Sequence, residues 1–241
     1  MTKLLHLPDN VKQLVSSFGF FDDFVHESTV AAGGLWTESH DGAGTAAIIA
    51  GAGGILNIVT SAVDEEADLI ESNECFLIAN DKPISFGARV QFTEANTNDA
   101  NVLIGLLDAP AVGSMQITGL GPPSSYSGAL FFKEDGQTLW STEISDSTTQ
   151  VTSQLTAANS LDGLAKTAGT AADYQLLRID IDEVTTTDAR FSFFIDDILV
   201  SRSIGNTYAN ATEIAACLYI GAGDTNAETL QVDYAWCYQK R

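Results

Sequence analysis

The stretch EADLIE, residues 66–71, holds three acids at a spacing that could carry chemistry: Glu66, Asp68 and Glu71. Two carboxyls can hydrolyse a glycosidic bond, one as nucleophile and one as acid/base, with the third acid as helper. The retaining form of that reaction needs the two carboxyls ~5–5.5 Å apart. On a regular strand Glu66 and Asp68 share a face, while Glu71 points the other way. Catalysis by Glu66 and Glu71 therefore requires a bulge that turns Glu71 round. The triplet also continues the acid run of Asp64 and Glu65, which reads as a solvated strand entry.

Other candidate chemistry is thinner. The three histidines, His6, His26 and His40, show no His-x-x-x-His spacing, and no nucleophile elbow occurs. GAGTAA, Gly42 to Ala47, formally matches Gly-x-Gly-x-x-Ala. A dinucleotide site needs a helix after that turn, and IIAGAGGILNIVTS reads instead as strand, glycine turn, strand. Asp22, Asp23, Asp108, Asp224 and Asp233 are available to calcium, but no helix-loop-helix spacing gathers them into a ligand set. No cofactor and no catalytic residue is expected.

The elements around these residues follow from composition and period. The chain has 241 residues, 45% of them hydrophobic and only 18% charged, which suits a globular domain with ample core. Thirty-two acids against 11 bases give a net charge of −21. Such a surface repels nucleic acid and anionic membranes, because phosphate binding needs clustered Lys and Arg. Adaptation to salty surroundings explains the charge equally well. Cys75, Cys217 and Cys237 are too few and too widely spaced for a disulfide framework or a zinc pattern. Cys75 and Cys217 sit in apolar runs and read as buried thiols. Free thiols, and an N-terminus broken by His6, Pro8 and Asp9, point to folding in reducing cytoplasm without a signal peptide.

Period-two alternation dominates. Ile84, Phe86, Ala88, Val90 and Phe92 share one face; Leu177, Ile179 and Ile181 form a second row, and Phe191, Phe193 and Ile195 a third. Asp135-Gly136 and Asp196-Asp197 read as tight hairpin turns. Further strands are expected at 19–25, 35–40, 54–61, 68–78, 101–108, 215–221 and 229–238, about a dozen in all. That count predicts an all-β, two-sheet antiparallel sandwich. Residues 9–17 could form two turns of helix behind an Asp9 cap. Residues 111–127 and 145–172 read as long loops. No composition break divides the chain, so an arm over 1–18 and one domain over 19–241 are expected.

FDDF leading to Trp36, the unit GAGGILNIVTSAVDEEADLIESNECFLI, and PISFGARVQFTEANTNDANVLIGLLDA carry a resemblance. So do YQLLRIDID with RFSFFIDDILV, and the closing LQVDYAWCYQ. This grammar resembles the concanavalin-A-like lectin and laminin-G-like jelly rolls. It is similar to a family of virion proteins encoded near the major capsid protein of tailed bacteriophages. The resemblance implies a non-enzymatic protein that decorates or cements the outer capsid surface, assembled in the host cytoplasm, with the major capsid protein as partner. Many jelly-roll hydrolases carry an acid triplet within a Trp-lined sugar cleft. Here Trp36, Trp140 and Trp236 are all distant from it in sequence, and Ala67 stands where those hydrolases place a branched apolar residue. Shell geometry suggests a trimer. The arm would make the contact through Leu4, Leu5, Leu7, Val11 and Leu14, of which Leu4, Leu7, Val11 and Leu14 can lay one face on a neighbour. The alternatives are a virion lectin that holds host glycans, and a glycoside hydrolase that uses Glu66 and Glu71.

Overall fold

The computed structural model describes residues 17–25, 34–51, 53–116, 121–169, 173–182, 184–185, 188–206 and 212–241. Leu4, Leu5, Leu7, Val11 and Leu14 lie outside these, as do His6, His26 and all of the expected helix except Ser17.

Sixteen strands occur among the described residues. The first eight are β1 (Ser17–Asp22), β2 (Trp36–His40), β3 (Thr45–Ile49), β4 (Ile55–Val59), β5 (Ala67–Ser72), β6 (Phe76–Ile78), β7 (Ile84–Thr93) and β8 (Ala100–Leu107). The rest are β9 (Ser127–Lys133), β10 (Ser141–Asp146), β11 (Gln150–Gln154), β12 (Gln175–Asp182), β13 (Asp188–Ile195), β14 (Ile198–Asn206), β15 (Thr212–Ala222) and β16 (Thr229–Lys240). The first sheet runs β14-β13-β12-β7-β16-β4-β3, with β1 beside the later part of β16. The second runs β11-β10-β9-β8-β15-β5-β2, with β6 beside the start of β15. Every pairing is antiparallel.

The alternating rows do form the core. Phe86, Val90, Phe92, Leu177, Ile179, Phe191 and Phe193 are all buried between the sheets. Each such side chain contributes roughly 1.5–3 kcal/mol by leaving water. Trp36 and Trp140 join them, with indole N–H groups donating to Asp22 Oδ2 and Gln175 Oε1, both at 2.8 Å. Asp196 and Asp197 form the expected turn with φ of 50° and 62°, the left-handed pair that a two-residue hairpin demands.

Several expectations need correction. Strand 68–78 is two strands, because Ser72 Oγ takes the Ala216 N–H (3.0 Å) that a ladder carbonyl would have taken. Asp135-Gly136 is a turn, closed by Gln137 N–H to Glu134 O (3.1 Å), but no tight hairpin follows. Residues 138–140 bond with 166–168 instead, and β10 starts only at Ser141. β11 lies within the expected loop 145–172, and Ser17 and Phe18 of the expected arm belong to β1. Cys75 is exposed; the buried thiols are Cys217 and Cys237.

Candidate functional site

β5 carries Asp68 and Glu71 of the acid triplet, with Glu66 just ahead of it, and lies between β2 and β15 in unbroken register with both. Asp68 stands opposite His40 and Ile220, and Glu71 opposite Thr37 and Cys217. With no bulge, alternation holds. Asp68 and the core residue Ile70 face the space between the sheets, while Leu69 and Glu71 face outward. Glu66 lies on the inner side, where the Ser61 hydroxyl donates to its Oε2. The sheet therefore stands between Glu66 and Glu71, and the close approach of a retaining pair is not met. No tryptophan lines a cleft there: Trp36 and Trp140 are in the core, and Trp236 is on the other sheet.

The solvated reading holds for Asp64 and Glu65 but not for Asp68, which is only 1% exposed. Strand pairing brings Glu38 and His40 of β2 to it, on the same inner face. One ligand atom from each of Glu38, His40 and Asp68 lies within 4.8 Å of the other two. Glu38 Oε1 accepts the Ala46 N–H at 2.8 Å and lies 4.0 Å from His40 Nδ1. Asp41 Oδ1 accepts the Ala67 N–H at 2.6 Å, which ties the turn after β2 to the head of β5. Burial pushes the Asp68 carboxyl up to about 7; His40 opposes this, while Glu38, Asp41 and Glu66 add to it. Asp68 Oδ1 is buried with no hydrogen-bond partner. GAGTAA finds its use here. A Cβ on Gly42 would run into the Glu66 carboxylate, and one on Gly44 into that of Asp68. The loop is glycine-rich because it lies directly against two acids, as expected of a loop and not of a phosphate-binding turn.

The outer face of the second sheet is closed. Leu69, Leu103, Leu107, Leu130, Phe132, Cys217 and Tyr219 form a second apolar cluster, covered by Met115 and Tyr126 from the 108–126 loop. Glu143 pins that loop. It accepts from the Tyr126 hydroxyl (2.8 Å) and Gln150 Nε2 (2.9 Å), and also from the Thr152 hydroxyl. Burial pushes its carboxyl up, and those three bonds oppose the shift. Among the described residues a recess of ≈ 270 Å³ opens on this side, lined by Leu107, Asp108, Ser114 and Tyr126 among others. Its one acid, Asp108, already accepts the Ser127 N–H at 2.5 Å.

The outer face of the first sheet is different. Phe21 (55% exposed), Tyr234, Trp236 and Tyr238 (36% exposed) stand there, on β1 and β16. Phe21 stacks on Tyr234 at 5.8 Å, and Tyr234 on Trp236 at 6.0 Å. The Trp236 indole leans over Gly87, where a Cβ would collide with it. Beyond a bulge at Asp233 the aromatic row gives way to amides: Gln91 Nε2 donates to Gln231 Oε1 (2.5 Å), and Gln231 Nε2 to Asn57 Oδ1 (3.0 Å). Neither face was legible from sequence beyond the alternation of β16.

The acids considered for calcium do not converge. Asp22 caps the Phe24 N–H (2.8 Å), Asp224 accepts the Asn226 N–H (2.7 Å), and Asp233 pairs with Arg89 (2.5 Å).

No protein-family model matches this chain, and no curated protein matches it in sequence. Solved structures match it over nearly its whole length. An endo-1,3-β-glucanase from Streptomyces sioyaensis superposes with a TM-score of 0.61 at 13% identity, over 93% of this chain and 97% of that one. The carbohydrate recognition domain of Emp47p gives 0.59 at 11% identity, over 94% and 96%. An endo-β-1,4-glucuronan lyase from the fungus Trichoderma reesei gives 0.60 at 9%, over 90% and 94%. Enzymes and binding domains both appear, so at these identities the likeness is one of fold alone. The chain has the concanavalin-A-like lectin/glucanase fold, an all-β sandwich of two antiparallel sheets.

Proposed function

We propose that this chain is a non-enzymatic structural protein that decorates the outer surface of a tailed-bacteriophage capsid, bound to the major capsid protein as a trimer. The observation that carries the reading is the exposed aromatic row on β1 and β16. Aromatic side chains are enriched at protein interfaces, where they supply much of the binding energy. β1, which presents Phe21, follows directly in sequence the segment that holds Leu4, Leu5, Leu7, Val11 and Leu14, the other contact residues of this reading. The separation of Glu66 from Glu71 and the closed outer face of the second sheet support a binding role over a cleaving one. The net charge of −21 suits the outside of a shell, away from packaged DNA. A trimer would close its own ring of contacts at the three-fold positions that head lattices offer. A cryo-electron map of the native particle tests this. Tens to hundreds of copies on the outside of the head are expected, and removal of residues 1–16 should lower head occupancy while the β domain still folds. A protein found only in the tail, or absent from the particle, overturns the reading.

A second reading is a lectin-like module for host glycans. The row Gln91, Gln231 and Asn57 beside the aromatic rings favours it, because planar amides and ring faces together suit hydroxyl-bearing rings. It predicts a few copies per particle, and saturable glycan binding that Trp236→Ala abolishes.

A further inference from the structure

We propose that Glu38, His40 and Asp68 bind one divalent transition-metal cation of the zinc class, between the two sheets at the end where β2 finishes and β5 begins. Four observations lead there. The first is convergence: one carboxylate oxygen from each acid and an imidazole nitrogen lie within 4.8 Å of one another. Ligands that each sit about 2 Å from one ion stand no more than about 4 Å apart, so a small rotation of the exposed His40 side chain completes the set.

The second is independent of the first. Asp68 is 1% exposed, and its Oδ1 has no hydrogen-bond partner. A buried carboxylate oxygen without a partner is costly, and a cation on the side of Glu38 and His40 removes that cost. The third is enclosure. The backbone at Gly44 passes so close to the Asp68 carboxylate that a Cβ there would collide with it, which restrains that carboxyl beside Glu38 and His40. The fourth is charge. Glu38, Asp41 and Glu66 all act on Asp68 at this end, and the basic group that opposes them is His40.

The donor set selects the metal. Calcium takes 6–8 oxygens, and three protein groups that include an imidazole do not provide them. Two carboxylates and an imidazole suit zinc and its neighbours, with a fourth position open to water. The supporting bonds are in place. Ala46 N–H holds Glu38 Oε1, Asp41 ties β2's turn to β5, and Ser61 holds Glu66 aside. The half-exposed His40 gives the ion its way in from solvent. Bound there, the ion would cross-tie the edge strand β2 to β5.

The test is calorimetric titration of the full chain, stripped with chelator, with zinc chloride at neutral pH, in 150 mM salt and millimolar magnesium. One saturable equivalent is expected, and cobalt(II) in its place should give the visible absorption of a low-coordinate site. Asp68→Asn and His40→Gln should each weaken zinc at least about tenfold, the lower bound for removing even a supporting partner of a ligand. Glu71→Gln, on the opposite face, should bind as the parent does. His40 is exposed and its replacement leaves the core alone, so that variant decides the matter even if Asp68→Asn does not fold. Zinc binding unchanged in His40→Gln, no saturable equivalent, or displacement by equimolar calcium would each overturn the proposal.

Discussion

Two groups of acids point into the space between the sheets at the same end of the sandwich, and they are handled in opposite ways. One is Glu94, just past β7, which meets Lys133 of β9 at 2.6 Å; both side chains are buried. The lysine also donates to Ala100 O (2.9 Å) and Asn98 O (3.1 Å), and Glu94 Oε1 takes the Ala100 N–H (3.1 Å). Three strands away across β8 and β15, Asp68 is equally buried. It has acids for neighbours and an orphaned oxygen. A buried charge is sustained where its partner and hydrogen bonds are complete. The first group has that completeness within the chain, and the second leaves a gap that a cation from outside would fill.

The sharpest way to break this comparison is to make the first group resemble the second. Lys133→Met leaves Glu94 enclosed without a counter-charge, and should cost about 3–5 kcal/mol. Adding Glu94→Gln should recover much of the loss, because the whole pair is then neutral. Urea unfolding midpoints at constant slope measure both. If Lys133→Met costs no more than a surface substitution, the pair is not what holds that corner.

Glu228 tests the same end by pH. It is fully buried at the head of β16 and accepts the Ala95 N–H at 3.1 Å. Burial first, then Glu94, Asp224 and Asp99, push its carboxyl up to about 7 from 4.5, and the Ala95 bond opposes them. The unfolded chain gives up this proton near pH 4.5, while the folded chain keeps it to about 7. The contribution of this group is thus fully present at pH 4 and is lost as pH rises through that window, by up to about 3 kcal/mol. Glu228→Gln should match the parent at pH 4 and exceed it at pH 8. Thermal melts at the two values check this, and an equal offset at both would show that the titration is not the cause.

Asp68→Asn should act with the opposite sign to Lys133→Met. In chelator the amide removes an uncompensated charge, and its N–H can donate to the neighbouring carboxylates. A gain of about 1 kcal/mol is expected. With zinc present the parent should overtake the variant by mass action. A loss in chelator comparable to that of Lys133→Met would mean that Asp68 already has its partner.

These contrasts mark where the sequence could be read. The rows at 84–92, 177–181 and 191–195 alternate because one face of each strand meets the core and the other meets water, and that pattern is visible in one dimension. β8 and β9 are buried on both faces, so NVLIGLL carries no alternation, and the loop that covers them left no trace in the pattern. Asp68 looked solvated because Asp64 and Glu65 before it are. Its true neighbours, Glu38 and His40, are some thirty residues away and arrive only through the pairing of β2 with β5. The signal was still present: Glu38-x-His40 at strand spacing, and two glycines in the following turn with no helix to justify them.

The smallest effect is expected at the residue that first drew notice. Glu71 is half-buried on the outer face of β5, flanked by Thr37 and Cys217, with its carboxyl pushed up by burial and by Glu74. It faces away from Asp68, Glu38 and His40, and nothing in the register of β5 turns it toward Glu66. Glu71→Gln should therefore change stability by less than about 0.5 kcal/mol, as surface substitutions usually do, and should leave zinc affinity and head occupancy as they are. Glu66→Gln combined with it should add the change at the Ser61 contact and the removal of one negative charge beside Asp68. The pair also tests the chemistry directly. If the purified parent hydrolyses a β-glucan and the double variant does not, β5 carries a bulge in solution that brings Glu71 round, and the division of this strand into a buried inner acid and an idle outer one is wrong.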